Sequence, residues 1–385
     1  LVEMLADLLN NDIVPIVPSR GSVGASGDLA PLAHAALVMI GEGEAMVGDD
    51  GPMPASEALA AAGIMPLTLA AKEGLALING THLMAATLAI GCHDIHNILT
   101  AAQAAAAMSI DASRASAGPL DPRIHAIRNQ VGQQKVAATV LKHLQGSTIL
   151  ADHLENDPRV QDPYSLRCIP QVIGAACDTL SHVLTIVEAE LGAVTDNPLV
   201  FPQDDAILSG GNFHGMPLAI AADTAKIALC HVAGIAERRV FWLLSARDCE
   251  NPVPAYLSPV PGLHSGLMIT QYTAAALCNE LQTVASPASV GNVPTSAGIE
   301  DYNSMGATSA HYLRLAIELT RLVIAIELLV AAEGIEHQRP LRSGEGVEQA
   351  YAAVRSLVPP LDGDRPPSPD IESIAGLIHD GWLTD

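Results

Sequence analysis

The chain has 385 residues, 49% of them hydrophobic but only 3% aromatic, and a net charge of −23. That is enough apolar material for a large aliphatic, alanine-rich core, and length alone allows two or three domains. The acidic balance argues against a nucleic-acid or anionic-membrane binder. The six scattered cysteines lack any Cys-x-x-Cys pair, so they indicate neither a disulfide framework nor a zinc site and fit a reducing cytoplasm.

Leu1, Met4, Leu5, Leu8 and Leu9 share one helical stripe, so the chain reads as starting inside a helix, with an N-terminal segment missing. No signal peptide is visible. Asn10, Asn11, Pro15 and Pro18 end that helix, and Ile13–Val17 reads as a short extended piece. Next comes Gly-Ser-Val-Gly-Ala-Ser-Gly-Asp-Leu-Ala-Pro-Leu-Ala-His, residues 21–34. Gly24 and Gly27 permit backbone angles closed to other residues, and Asp28 is placed to cap a helix over 29–40. No Gly-x-x-x-x-Gly-Lys or Gly-x-Gly-x-x-Gly is present, so a phosphate loop is a poor reading. Two readings remain. The stretch is either a plain turn into a helix, or a turn tight enough to bring the Gly27 nitrogen onto the Ala25 carbonyl.

Residues 41–55 read as a loop or small hairpin, and 56–62 as a short helix. One or two long helices follow over 70–117, with Asn79-Gly80 marking a break. Asn79 lies between apolar faces, where its amide must find a partner. His93 and His96 are three apart, but no third ligand has suitable spacing, so surface or interface histidines are the better reading. Apolar spacing is helical over 121–156, with a loop from Asn156 to Asp162. Gln161-Asp162-Pro163-Tyr164-Ser165-Leu166-Arg167-Cys168 then opens a helix to about Leu191, with Tyr164 and Arg167 on one face. Further apolar helices cover about 217–245, 267–284, 306–334 and 371–379, with a proline-rich loop from Pro252 to Pro261. The run Leu322–Ala332, interrupted by Glu327, is well short of the roughly 20 residues that a membrane span needs. Few strand signals occur, so the fold reads as mainly α, with long near-parallel helices in a bundle.

Four separated motifs resemble, in the same order, those of the histidine and aromatic amino-acid ammonia-lyases: the 21–34 stretch, Gln161–Cys168, Thr195-Asp196-Asn197-Pro198 and Gly210-Gly211-Asn212-Phe213-His214. Asn79-Gly80-Thr81 also recurs there, and the resemblance covers essentially all of the chain. It implies an elongated, fumarase/aspartase-like helical architecture. The chain is then one ammonia-lyase domain lacking its N-terminal part, with the electrophile-bearing turn in 1–60, a helical bundle over 61–340 and short C-terminal helices over 341–385. It also implies that Ala25, Ser26 and Gly27 cyclise, with loss of two waters, into a methylidene-imidazolone (MIO) electrophile, and that no metal or nucleotide is used.

By the same resemblance, Asn79 and Arg167 hold the amino-acid end of the substrate, Arg167 by its carboxylate. Glu300 reads the side chain, and Tyr164 and Gln161 support the ring. A carboxylate suits an imidazole, whose N–H it can accept and whose cation it can pair. Glu300 and Asp301 could equally cap the next helix. The family's base is a tyrosine on the N-terminal segment. Leu267 stands where a phenylalanine is usual, and Ile299 and Tyr302 replace a Gln and a His. The implied reaction is ammonia elimination from an aromatic-type amino acid, foremost L-histidine to trans-urocanate, in a cytoplasmic homotetramer whose sites combine several subunits. The alternatives are a tyrosine or phenylalanine lyase, a 2,3-aminomutase, or a chain competent only to assemble.

Overall fold

The computed structural model describes residues 1–153, 157, 159–248, 251 and 253–382. Asn156, Cys249 and Pro252, which bear on the readings above, lie outside the described residues. In chain order the elements are α1 (Val2–Asn10), β1 (Ile13–Pro15), α2 (Leu29–Met39), β2 (Glu44–Val47), β3 (Met53–Pro54), α3 (Ala55–Ala61), α4 (Glu73–Ile78) and α5 (His82–Ala112). Then follow α6 (Pro122–Ala126), α7 (Val131–His143), α8 (Thr148–Asp152), α9 (Tyr164–Arg167), α10 (Ile169–Leu191), β4 (Leu199–Phe201) and β5 (Ala206–Leu208). The last are α11 (Met216–Ser245), α12 (Met268–Val284), α13 (Gly306–Glu336), α14 (Glu345–Leu357) and α15 (Ser368–His379). The fold is mainly α, as expected. By length and composition alone α10 and α11 are apolar enough to cross a membrane, and 56% of the qualifying α11 window is buried inside the protein.

The chain divides into two compact units. The first comprises Leu1–Ala89, Thr185–Asp223 and Pro287–Tyr312. Its small core gathers Met4 and Leu8 of α1, Ile13 of β1, Val38 and Met39 of α2, and Ala55, Ala58 and Leu59 of α3. Only part of the expected α1 stripe is used. Met4 and Leu8, one turn apart, face this core, whereas Leu9, about 100° further round, is 79% exposed. The expected hairpin is a three-stranded antiparallel sheet in the order β1-β2-β3, with Val14 opposite Met46 and Ala45 opposite Met53. A second antiparallel pair, β4 with β5, has no counterpart in the helical reading. Its exposed Val200 pairs with Ile207, which is exposed as well, and segments this short carry almost no periodicity.

The second unit comprises Ile90–Leu184, Thr224–Ser286 and Leu313–Asp385. Alanines let its helices approach closely. A Cβ added at Gly132 of α7 would lie 2.2 Å from the Gly174 carbonyl oxygen of α10. Glu327 interrupts the apolar run of α13 for a reason: it is fully buried against the equally buried Arg239 of α11, with Nη2–Oε2 at 2.8 Å, and accepts Ser109 Oγ of α5 at 2.7 Å. The helical spacing over 121–156 is cut into α6, α7 and α8. Asn129 (φ 63°) and Gly146 (φ 79°) take left-handed conformations at the breaks. Asp121 caps the start of α6 and Ser147 the start of α8, accepting the N–H groups of Arg123 at 2.9 Å and Leu150 at 3.1 Å.

Candidate active site

The candidate residues divide between the units. Ala25, Ser26, Gly27, Asn79 and Glu300 belong to the first, and Gln161, Tyr164 and Arg167 to the second.

In the first unit the turn is fixed by backbone contacts that only glycine allows. Gly27 (φ 74°) pairs in parallel with Gly80, and a Cβ on Gly27 would lie 2.1 Å from the Gly80 carbonyl oxygen. A Cβ on Gly24 (φ 68°) would lie 2.0 Å from Ser304 Oγ. Ser22 Oγ donates to the Gly27 carbonyl at 3.1 Å and accepts the Gly24 N–H at 3.1 Å, closing the turn from inside. The Met305 N–H donates to the Val23 carbonyl at 2.9 Å and Ser304 Oγ to the Gly24 carbonyl at 3.3 Å. Ala25, Gly27 and Asp28 are buried, and Ser26 is partly so. Ring closure needs the Gly27 nitrogen held near the Ala25 carbonyl with water kept away, and this tight, buried glycine cradle fits that need.

Asp28 heads α2, as expected, but its side chain does not cap that helix. The carboxylate instead accepts the Met84 N–H at 3.0 Å, at the start of α5. The Asp28 N–H donates to the Gly80 carbonyl at 2.8 Å, and this bond carries the side chain across to the neighbouring helix. Burial pushes the Asp28 carboxyl up to about 6, against the bonds from Met84 and Ser22 that favour its charge.

Asn79 lies in the gap between α4 and α5 and is buried. Both its N–H donors are committed, to Asp196 Oδ1 and to the Asn197 carbonyl, each at 3.0 Å. Lys72 Nζ grips the other Asp196 oxygen at 2.6 Å. Glu300 does not cap a helix, since α13 starts six residues later. Its carboxylate accepts Thr295 Oγ1 at 2.8 Å and Ser26 Oγ at 3.3 Å, which brings Glu300 to the middle residue of the turn. His214 Nε2 lies 3.0 Å from the Tyr302 carbonyl oxygen, a structural contact at the head of α11.

In the second unit a cavity of about 410 Å³ is lined by Gln161, Tyr164, Arg167, Arg159, Trp242 and Asp248 among others. Tyr164 and Arg167 share a face, as their spacing predicts, and the Arg167 guanidinium lies 4.8 Å from the Tyr164 ring centre. Arg167 Nε donates to the Asp162 carbonyl at 2.8 Å, which leaves the edge formed by its two terminal nitrogens for a carboxylate. Gln161 is exposed, and Tyr164 is 74% exposed. Arg159 braces the floor by bonds to Asp157 Oδ1 at 3.0 Å and Asp248 Oδ2 at 2.9 Å. Leu267, at the start of α12, is fully buried.

Sequence reasoning passed over Ser22, Lys72, Asp196 and Thr295. One signal was available for Asp196: a buried amide at position 79 demands acceptors, and an acid already stood in the Thr-Asp-Asn-Pro match. Ser22 and Thr295 carried none, because their roles depend on long-range backbone closure.

A family model described as aromatic amino acid lyase matches residues 1–356. The histidine ammonia-lyase of Symbiobacterium thermophilum is 48% identical over 382 residues, which is 99% of this chain and 74% of that protein. Among solved structures, histidine ammonia-lyase from Trypanosoma cruzi superposes with a TM-score of 0.91 at 40% identity, over 99% of this chain and 72% of that one. Tyrosine aminomutase from Streptomyces globisporus gives 0.91 at 36% identity, over 100% and 75%.

Proposed function

The chain belongs to the aromatic amino acid lyase family, and from that premise we propose that it is a carbon–nitrogen lyase that eliminates ammonia from L-histidine to give trans-urocanate. The observation that carries the choice of histidine is the Glu300 carboxylate 3.3 Å from Ser26 Oγ, at the centre of the turn.

The reaction must remove a weakly acidic β-proton and turn an amine into a leaving group. An MIO ring made from Ala25, Ser26 and Gly27 would supply the electrophile that activates the amine. The chain's own groups do the rest of the holding. Arg167 offers the carboxylate two parallel N–H donors. Asn79 offers the amine its carbonyl oxygen, since its N–H groups are taken. Glu300 accepts an imidazole N–H or pairs with the imidazolium. Tyr164 and Gln161, which line a cavity with Arg167, support the ring, and the Tyr164 side chain also packs on the Arg167 guanidinium. The working form is a homotetramer whose sites draw on several chains, a reading supported by the exposure of Tyr164 and of Tyr272. We place the enzyme in the cytoplasm.

The test is direct. Incubation with L-histidine should produce the ultraviolet absorbance of urocanate. Products from tyrosine or phenylalanine with none from histidine would overturn the assignment. A second reading, tyrosine lyase or aminomutase activity, rests on the close superposition with the tyrosine aminomutase. Formation of a β-amino acid would select it.

A further inference from the structure

An amide side chain presents a donor on one arm and an acceptor on the other, and a flip exchanges them. If Asn79 contacts a substrate amine, the arm it offers decides the outcome. An ammonium or amine N–H needs the oxygen, and a second NH₂ would repel it.

The surroundings of Asn79 leave one answer. Asp196 Oδ1 and the Asn197 carbonyl oxygen, each 3.0 Å from Nδ2, can only accept. The Asp196 carboxylate is itself held from three sides: Lys72 Nζ lies 2.6 Å from Oδ2, and the Asn197 N–H and Asn79 both reach Oδ1, at 2.6 and 3.0 Å. Partial burial works against the charge on Asp196, but these bonds outweigh it and keep the carboxyl below its ordinary range. An ionised Asp196 cannot donate, so it takes the Asn79 nitrogen and leaves the oxygen as the arm for another partner. The residue after Asn79 is Gly80, whose backbone pairs with Gly27 of the reactive turn. The oriented amide therefore stands next to the pairing that holds the turn.

We propose that Asp196, clamped by Lys72, is a positioning residue that fixes the Asn79 amide with its carbonyl oxygen toward the substrate amine, and so sets affinity for the amine-bearing end. This rests on the lyase reading, and it adds two residues that touch no reacting atom. Asp196→Asn replaces one of the two obligate acceptors by a group that can also donate, so the Asn79 amide is held one way by the Asn197 carbonyl alone. Lys72→Met leaves Asp196 without its clamp but leaves Asn79 its acceptor.

The experiment compares two ligands for each variant: the amino acid that the wild type turns over, and its amine-free analogue as a competitive inhibitor (imidazolepropionate in the case of histidine). Asp196→Asn should raise KM for the amino acid by about tenfold or more, the size expected for a lost charge-assisted bond, with Ki for the amine-free analogue unchanged. Lys72→Met should move KM the same way by about threefold, and Lys72→Arg should lie nearer the wild type. A general folding defect would raise both constants together, and that result, or no change in either, overturns the proposal. If Asp196→Asn does not fold, the Lys72 pair decides by the same ratio. A wild type that turns over none of histidine, tyrosine and phenylalanine overturns the lyase reading and this inference with it. An active wild type with unresponsive variants overturns this inference alone.

Discussion

The candidate residues of the two units are held on opposite plans. In the first unit the turn at 24–28 is mostly buried, with backbone groups of Val23, Gly24 and Asp28 tied to segments far away in sequence and the Gly27 carbonyl tied to Ser22. In the second unit Tyr164, Gln161 and Arg167 line an open cavity, and Arg167 keeps its terminal nitrogens available. The difference follows from the tasks. A ring that forms by losing water needs a rigid, dry, glycine-shaped seat, where a misplacement removes the chemistry altogether. A carboxylate grip needs reachable donors, and its loss weakens binding without touching the electrophile.

Substitutions should separate the two plans. Gly27→Ala combines a contact at 2.1 Å with the strain of a left-handed alanine, about 1–3 kcal/mol. Turnover should fall to undetectable, and intact mass should show no two-water loss. Ser26→Ala should do the same by chemistry rather than sterics. A normal mass loss in either would break the contrast. Next in size is Arg239→Leu, which strands the buried Glu327 carboxylate and should cost about 3–5 kcal/mol of stability, read from the denaturant midpoint. The mass loss of the folded fraction should be unaffected.

Arg167→Met should raise KM for the amino acid by about 10- to 100-fold, the loss of a charge-assisted pair, with the two-water loss intact. If maturation failed as well, the carboxylate end would share the first unit's plan. Glu300→Gln should lower kcat/KM for histidine by about tenfold, and its effect on phenylalanine should be small, because only the imidazole needs the charge.

The smallest effect is in pH. Burial raises both Asp28, in the first unit, and Asp111, in the second, to about 6. Each folded value lies above the ordinary carboxyl value, so the folded chain holds the proton more tightly than the unfolded one. The stabilisation this gives is complete below about pH 4 and is lost as pH rises through about 6. Asp111→Asn should therefore flatten the stability profile between pH 4 and 6 by on the order of 1 kcal/mol, measured by thermal melts across that range.

How much of this was legible depended on the range of the interaction. Helices with long apolar periodicity read well: Ile169–Leu191, Met216–Ser245 and the break at Asn79-Gly80 between α4 and α5 all lie where pattern and punctuation put them. The pairing of Tyr164 with Arg167 was legible too, because three-residue spacing on a helix is local geometry. The β4–β5 hairpin escaped, because three-residue strands hold no pattern. The partner of the Asp28 carboxylate could not be read at all. Local rules place it on α2, and only the crossing of Gly27 with Gly80 sends it to α5.

That crossing also bears on when the enzyme can come to life. Val23 and Gly24 are held by Ser304 and Met305, and Ser26 by Glu300, which is 274 residues further along the chain. A ribosome delivers residues 24–28 long before the segment that encloses them. Enclosure of the turn, on which the reactive group proposed there would depend, must wait until residues 300–305 have been made and packed. A truncated or misfolded copy would then carry only an inert Ala-Ser-Gly, so the cell is spared a loose electrophile, and the mass deficit of two waters doubles as a stamp of completed folding.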